Sequence, residues 1–207
     1  MNILIVNSSA QGETSISNRL TRLVADMVRA ADPDSTIRVR DVGSDPIPHL
    51  TPGTVGGLRA EAGTDAEKQA QALSDMLIEE LRAADLIVVG APMYNFGMAS
   101  TLKSWFDHVL RARVTFRYTE NGSEGLLGGK RALVIETRGG VYSEGPAAAM
   151  DSQEPHIRTL LGFMGITDVR FVRVERTGFG PEAVAEAIGA AESELADLAR
   201  ASFALAA

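Results

Sequence analysis

The chain has 207 residues, 45% of them apolar and 23% charged, a composition that suits one soluble globular domain, residues 1–207, with a full core. Twenty-seven acidic residues against 20 basic ones give a net charge of −7, which speaks against the basic patches that non-specific nucleic-acid binding needs. There is no Cys, and the three His (His49, His108, His156) lie far apart, so disulfides, thiolate nucleophiles and Cys-held metals are excluded and no metal site is expected.

No apolar run reaches the roughly 18 residues of a membrane span. The chain opens directly on Asn-Ile-Leu-Ile-Val-Asn at residues 2–7, a predicted strand rather than a targeting signal, so a cytoplasmic protein without membrane contact is expected. Residues 17–31 follow as a helix, with Leu20, Leu23, Val24 and Met27 at helical spacing. Residues 36–41 alternate polar and apolar and predict a strand nearer an edge. Residues 42–64 are rich in Pro and Gly and predict a long loop, which in a compact domain usually has a task. A long amphipathic helix is predicted over 65–83. A strand over 85–90 carries the unbroken run Leu86-Ile87-Val88-Val89, the pattern of burial on both faces. A helix over 98–112, a short extended piece over 114–118, a turn over 120–125 and a buried strand over 131–137 come next. A helix over 154–162, a strand over 169–174 and a closing helix over 181–204 complete the chain. Strand and helix alternate about five times with no break in composition, which predicts a doubly wound α/β sheet of parallel strands.

In such sheets ligands bind at the carboxyl ends of the strands. Three connections leave those ends. Residues 8–18 carry five hydroxyls (Ser8, Ser9, Thr14, Ser15, Ser17) and run into a helix, whose free N–H groups and positive dipole end suit a phosphate. Ser15 or Ser17 capping that helix is the plainer reading. The loop has neither the three glycines of a dinucleotide fingerprint nor the Gly-Lys-Ser/Thr ending of a Walker loop. Asp41, at the end of the second strand, reads as a solvated charge.

The second connection is Gly90-Ala91-Pro92-Met93-Tyr94-Asn95-Phe96-Gly97. Its aromatics suit a flat cofactor, Pro92 stiffens the turn, and Gly97 allows close approach; ordinary packing under a loop is the alternative. The third is Thr137-Arg138-Gly139-Gly140-Val141-Tyr142, whose adjacent glycines expose amides that can meet the carbonyl edge of a ring, or simply make a turn. Phosphate cradle, apolar platform and amide row together fit a mononucleotide with a large polar ring, a flavin.

Several stretches match one family: Ser8-Ser9, Ser15-x-Ser17-Asn18, the runs 91–96, 114–122 and 161–169, and Arg138-Gly139-Gly140. Through them the chain resembles the FMN-dependent NAD(P)H azoreductases, also described as NADH:quinone oxidoreductases. The resemblance implies a flavodoxin-like, five-stranded parallel sheet in the order 2-1-3-4-5 with helices on both faces. It implies that Ser9, Ser15, Ile16 and Ser17 hold the FMN phosphate. Pro92, Met93, Tyr94, Asn95 and Phe96 would wrap the ribityl chain and ring, and Thr137, Arg138, Gly139 and Gly140 would meet the ring's carbonyl side. It further implies a homodimer with two sites at the interface, and a substrate pocket lined by Tyr118 and Phe163, from the partner subunit, and by Tyr142. The chain departs from the family in having Thr137 where Ser is common, and in a longer segment over 143–155. Residues 141–145 vary in the family and are expected to tune substrate choice.

On that reading NADH or NADPH reduces the flavin and then yields its place to a quinone or azo compound, a ping-pong order in which the cofactor carries the chemistry and no protein residue is the catalyst. Three other readings compete. A reductase delivering reduced FMN needs the same site. A flavodoxin-type carrier has no use for the aromatic stretches 114–118 and 161–165. A receiver-like signalling domain needs acidic residues clustered at strand ends, where Asp41 stands alone.

Overall fold

The structure is a computed structural model that describes the backbone of residues 1–204 and the side chains of residues 1–200. Five parallel strands make the sheet: β1 (Asn2–Asn7), β2 (Thr36–Asp41), β3 (Leu86–Tyr94), β7 (Arg131–Thr137) and β8 (Asp168–Val174). They lie in the order β2-β1-β3-β7-β8, and a sixth, two-residue strand, β4 (Gly97–Met98), pairs antiparallel with the end of β3. Three short strands thus fall in the chain between the third and fourth long ones: β4, β5 (Phe116–Thr119) and β6 (Gly122–Gly125), the last two forming a separate hairpin. The flavodoxin-like α/β architecture is present, with one more strand on the sheet than the five expected.

Alternation within the buried strands divides the core in two. Leu4, Val6, Ile87, Val89, Ala132 and Val134 point to one face, which α3 (Asp65–Ala83), α4 (Ser100–Val109) and α5 (Glu154–Phe163) cover with Leu77, Leu81, Trp105, Phe106 and Leu161. Ile3, Ile5, Val88, Leu133 and Ile135 point to the other, under α1 (Ile16–Ala31) and α6 (Pro181–Ala204) through Leu20, Val24, Val28 and Leu195. A strand buried on both faces needs a continuous apolar run, which is what β1, β3 and β7 have. β2, with its alternating sequence, takes the edge; Arg38 and Arg40 there reach back to the buried carboxylate of Glu80 on α3.

The sequence-predicted boundaries shift most at four places. β3 continues to Tyr94 instead of stopping at 90, because β4 folds back on it. α4 starts at Ser100, since Met98 is spent in that pairing, and ends at Val109 rather than 112. Thr115 Oγ1 caps that end: it donates to Val109 O at 2.7 Å and accepts from Arg111 N at 2.9 Å, and Arg113 turns into the left-handed region (φ 67°). The predicted 42–64 loop contains α2 (Val55–Arg59), whose helical signal is hidden by Gly56 and Gly57; a Cβ on Gly57 would lie 2.2 Å from Glu67 O of α3. The 120–125 turn contains β6. Residues 205–207 of the expected domain lie outside the described residues. No helix of the described residues is long and apolar enough to cross a membrane.

Leu77 of α3 has no exposed surface. Leu77→Ala should lower unfolding free energy by about 2–5 kcal/mol in urea melts; a loss under about 1 kcal/mol would contradict this packing.

Candidate functional site

In-register parallel pairing brings the three connections to one edge. Asn7 pairs with Gly90, Pro92 with Thr137, and Thr137 with Val174, so the chain leaves β1, β3 and β7 side by side. Ser8 Oγ donates to Gly90 O at 2.8 Å, tying the first connection to β3.

The first connection is tightly built. Ser9, Ser15, Ser17 and Asn18 are all buried. Ser15 is the N-cap of α1: its Oγ accepts from Asn18 N at 3.2 Å and shares a hydrogen bond with Ser17 Oγ at 3.0 Å. The plainer capping role of Ser15 is therefore realised, and the amides of Ile16 and Ser17 stand at the open end of the helix, where the dipole favours an anion. Ser9 Oγ accepts from Gln11 N at 3.2 Å. The loop lies against the chain following β2, so closely that a Cβ on Gly43 would sit 2.2 Å from Ser9 O. Asp41 closes that turn, its Oδ1 accepting from the amides of Gly43 and Ser44. Asn18 Nδ2 donates to Gly12 O, whereas its buried Oδ1 has no partner. A buried acceptor without a donor is costly, and this one lies beside the N-cap of α1. Asn18 stands in the motif 15–18 but was not among the sequence-predicted site residues.

The second connection is a tight hairpin. Met93 pairs with Met98 and Tyr94 with Gly97, leaving Asn95 and Phe96 as the two turn residues, both at positive φ (48° and 72°). Two positive φ values are the signature of the primed turn that suits strand twist. Asn tolerates that region, whereas Phe adopts it at a cost. Pro92 is buried and Met93 half-buried, while Tyr94 and Phe96 are 36% and 42% exposed. Gly97 has no protein atom within 4 Å of its Cβ position, so no close approach to the protein occurs there.

The second connection joins the other two. Tyr94 Oη accepts from Ala10 N at 3.0 Å, and the Phe96 and Tyr142 rings meet edge to face at 6.1 Å. The carbonyls of Arg138, Gly139 and Gly140 accept from Thr177, Gly178 and Arg176. The amides of Gly139 and Gly140 donate to no acceptor among the described residues. The Arg138 side chain is elsewhere: it has no exposed surface and is ringed by Glu136, Asp151, Gln153 and Glu175, so only its backbone reaches the site edge.

Tyr118 and Phe163 form a different group. Both rings pack on Phe116, at 5.5 and 4.6 Å, and Tyr118 is 74% exposed on the β5–β6 hairpin. No ring pair among the described residues links them to Phe96 or Tyr142. Among the described residues no three His, Asp or Glu side chains are grouped to hold a metal ion.

Residues 1–199 match the model of the flavodoxin-like fold family. An FMN-dependent NADH:quinone oxidoreductase of Hyphomonas neptunium is 50% identical over 199 residues, covering 96% of each chain. The chain belongs to this oxidoreductase family of the flavodoxin-like fold. A relative of the same name from Ralstonia nicotianae is 48% identical over 201 residues, 96% of this chain and 97% of its own. Among solved structures, the azoreductase AzrA superposes with a TM-score of 0.88 at 30% identity, covering 96% of this chain and 99% of its own. An azoreductase from Bacillus anthracis does so at 0.87 and 28%, covering 96% and 98%.

The Phe96 backbone carries a strain of about 1–3 kcal/mol that Gly would not. Phe96→Gly should therefore leave the ligand-free protein as stable, or more stable by up to about 1 kcal/mol, in urea melts. A loss above about 1 kcal/mol would mean that the Tyr142 contact outweighs the strain.

Proposed function

We propose that this chain is an FMN-dependent oxidoreductase that takes electrons from NADH or NADPH and reduces quinones and aromatic azo compounds. One observation carries the reading: three loops at a single sheet edge are joined through the Tyr94 hydroxyl and the Phe96–Tyr142 contact, in a chain half identical to named quinone oxidoreductases. The residues present fit the group. The first turn of α1, with Ser9, Ser15, Ile16 and Ser17, offers neutral donors and a helix dipole to the phosphate. The unpartnered Asn18 Oδ1 offers an acceptor to a hydroxyl. Pro92, Met93, Tyr94, Asn95 and Phe96 give a rigid, partly apolar wall for a flat ring. Gly139 and Gly140, beside Thr137 and the Arg138 backbone, present amides to its carbonyl edge, where negative charge is stabilised as in an oxyanion hole.

Bound FMN supplies the electron-accepting ring. The protein orients it, shields one face, and keeps a single open pocket that donor and acceptor enter in turn, which gives ping-pong kinetics. The chain acts as one domain and as a homodimer in the cytoplasm. Tyr118 and Phe163 wall the partner's pocket and Tyr142 its own. The exposed Tyr118 on its hairpin supports this, and disfavours a flavodoxin-type carrier, which needs no added pocket.

The purified protein should be yellow and should bleach on anaerobic addition of NADH; a colourless protein that takes up no added FMN overturns the proposal. A second test uses two exposed turn residues. Asn95→Gly keeps the left-handed turn available and should raise the FMN dissociation constant by about tenfold, one lost hydrogen-bonding group, while Asn121→Gly in the β5–β6 turn should leave it unchanged. Equal effects in flavin-quenching titrations would contradict the site.

A further inference from the structure

Behind the third connection lies a charged cluster that the flavin reading does not use. Glu136, near the end of β7, sits opposite Ala91 of β3 and Arg173 of β8. Its side chain and that of Arg138 have no exposed surface. Glu136 Oε2 accepts from Arg138 Nη2, and the buried Oε1 has no hydrogen-bond partner. The charged groups facing it are Arg138, Asp151 and Glu154 at the start of α5, and Arg173; β3 faces it with apolar Ala91. On the other side of the guanidinium, Glu175 accepts from Arg138 Nη1 at 3.3 Å. Glu175 also gathers the next loop: it accepts from Tyr142 N at 2.7 Å, Ser143 N at 2.9 Å and Ser143 Oγ at 2.6 Å.

Fully ionised, four carboxylates (Glu136, Asp151, Glu154, Glu175) would meet three guanidinium groups (Arg138, Arg158, Arg173), one negative charge in excess. Glu154 and Glu175 are not the ones to give way. Burial works against both charges, yet Arg173 and Arg158 hold Glu154 below the usual carboxylate range, and Ser143, the Tyr142 amide and Arg138 do so for Glu175. Asp151 accepts from the amides of Gln153 and Glu154 and from Arg138. Glu136 has one partner and the deepest burial. Desolvation pushes it up to about 8 against the pull of Arg138, and Glu154 and Asp151 add to the rise.

We propose that Glu136 is a positioning residue of the flavin site that works in its neutral, protonated form, leaving the Arg138 guanidinium to hold Glu175 and, through it, the loop that carries Gly139, Gly140 and Tyr142. The proposal rests on the flavin reading. Arg138 gives Nη2 to Glu136 and Nη1 to Glu175, so a charge on Glu136 draws the guanidinium toward β7 and away from Glu175, and the loop loosens as that proton leaves. The sign follows from a raised folded-state value: stability from this group is complete below its ordinary 4.5 and is lost as pH rises through about 8.

Three measurements on the wild type, Glu136→Gln and Glu175→Gln test this. The wild-type apoprotein at pH 6.5 should show the infrared carbonyl band of a protonated carboxyl, absent from Glu136→Gln. From pH 6.5 to 9.5 the wild-type FMN dissociation constant should rise about tenfold more than that of Glu136→Gln, which shares FMN's own ionisations. Glu175→Gln should weaken FMN binding at both pH values. A wild-type pH dependence equal to that of Glu136→Gln overturns the role of Glu136, while a wild type that binds no FMN at any pH overturns the flavin reading itself. If Glu136→Gln fails to fold, the wild type decides: the proposal falls if the band is absent, or if apoprotein urea midpoints do not decline between pH 6.5 and 9.5.

Discussion

A guanidinium that water cannot reach has to be met by carboxylates, because an unpaired buried charge costs several kcal/mol. At Arg138 those partners come from different parts of the chain: Glu136 from β7, Asp151 and Gln153 from the approach to α5, Glu175 from the end of β8. Each partner brings a piece of the site with it. Gln153 Nε2 donates to Ala91 O, fixing the start of the second connection. Ser152 N donates to Phe96 O, fixing its turn. Glu175 collects the amides of Tyr142 and Ser143. The sheet edge has its shape because one cation, placed just beyond a central strand, must be satisfied from all sides.

That anchoring accounts for how the Asn95 and Phe96 turn can persist. A primed two-residue turn is easily reached by Asn, but Phe pays for its left-handed backbone. Strain of this kind survives only where surrounding structure over-determines the geometry. Here the Ser152 hydrogen bond holds the Phe96 carbonyl, the Tyr142 ring meets the Phe96 ring, and the Tyr94 hydroxyl is tied to Ala10. An aromatic ring kept in a strained turn and left 42% exposed is poorly explained as packing. Its exposed face suits the flat ring of the proposed cofactor.

Much of this was legible in the sequence because its causes are local. The runs in β1, β3 and β7 are apolar throughout since both sheet faces are covered, and the hydroxyl-rich, aromatic and Gly-Gly stretches each follow such a run. What escaped depends on distant partners. Arg138 reads as a ligand-facing cation beside two glycines, and only the fold turns it inward. Glu136 did carry a signal, a charge at the end of Leu133-Val134-Ile135, but its meaning needs Glu154 at the start of α5 and Asp151, which arrives from a segment whose sequence resembles a plain loop. α2 was hidden by Gly56 and Gly57, whose small size serves the contact with Glu67. Asn18 is indistinguishable from any first-turn helix residue until its Oδ1 is found buried and unpaired.

The inward turn of Arg138 also decides what kind of electrostatics the proposed site can use. The chain is acidic overall, −7, and its proposed ligands are anionic. Fixed cations would be the simple answer, yet the arginines in the first two turns of α1 are occupied: Arg19 pairs with Glu192 and Arg22 with Glu13. What remains at the edge is dipolar: the open first turn of α1, the hydroxyls of Ser9, Ser15 and Ser17, and the amides of Gly139 and Gly140. Dipoles act over a single turn and are fixed in direction, so they select an anion by position rather than attract it from a distance. Such a site gives up long-range steering and gains a preorganised frame that need not reorganise when the charge on its ligand changes. For a cofactor that stays bound while its charge cycles, that exchange is favourable, and it places the one adjustable charge, the Glu136 carboxyl, behind the frame and out of the ligand's contact.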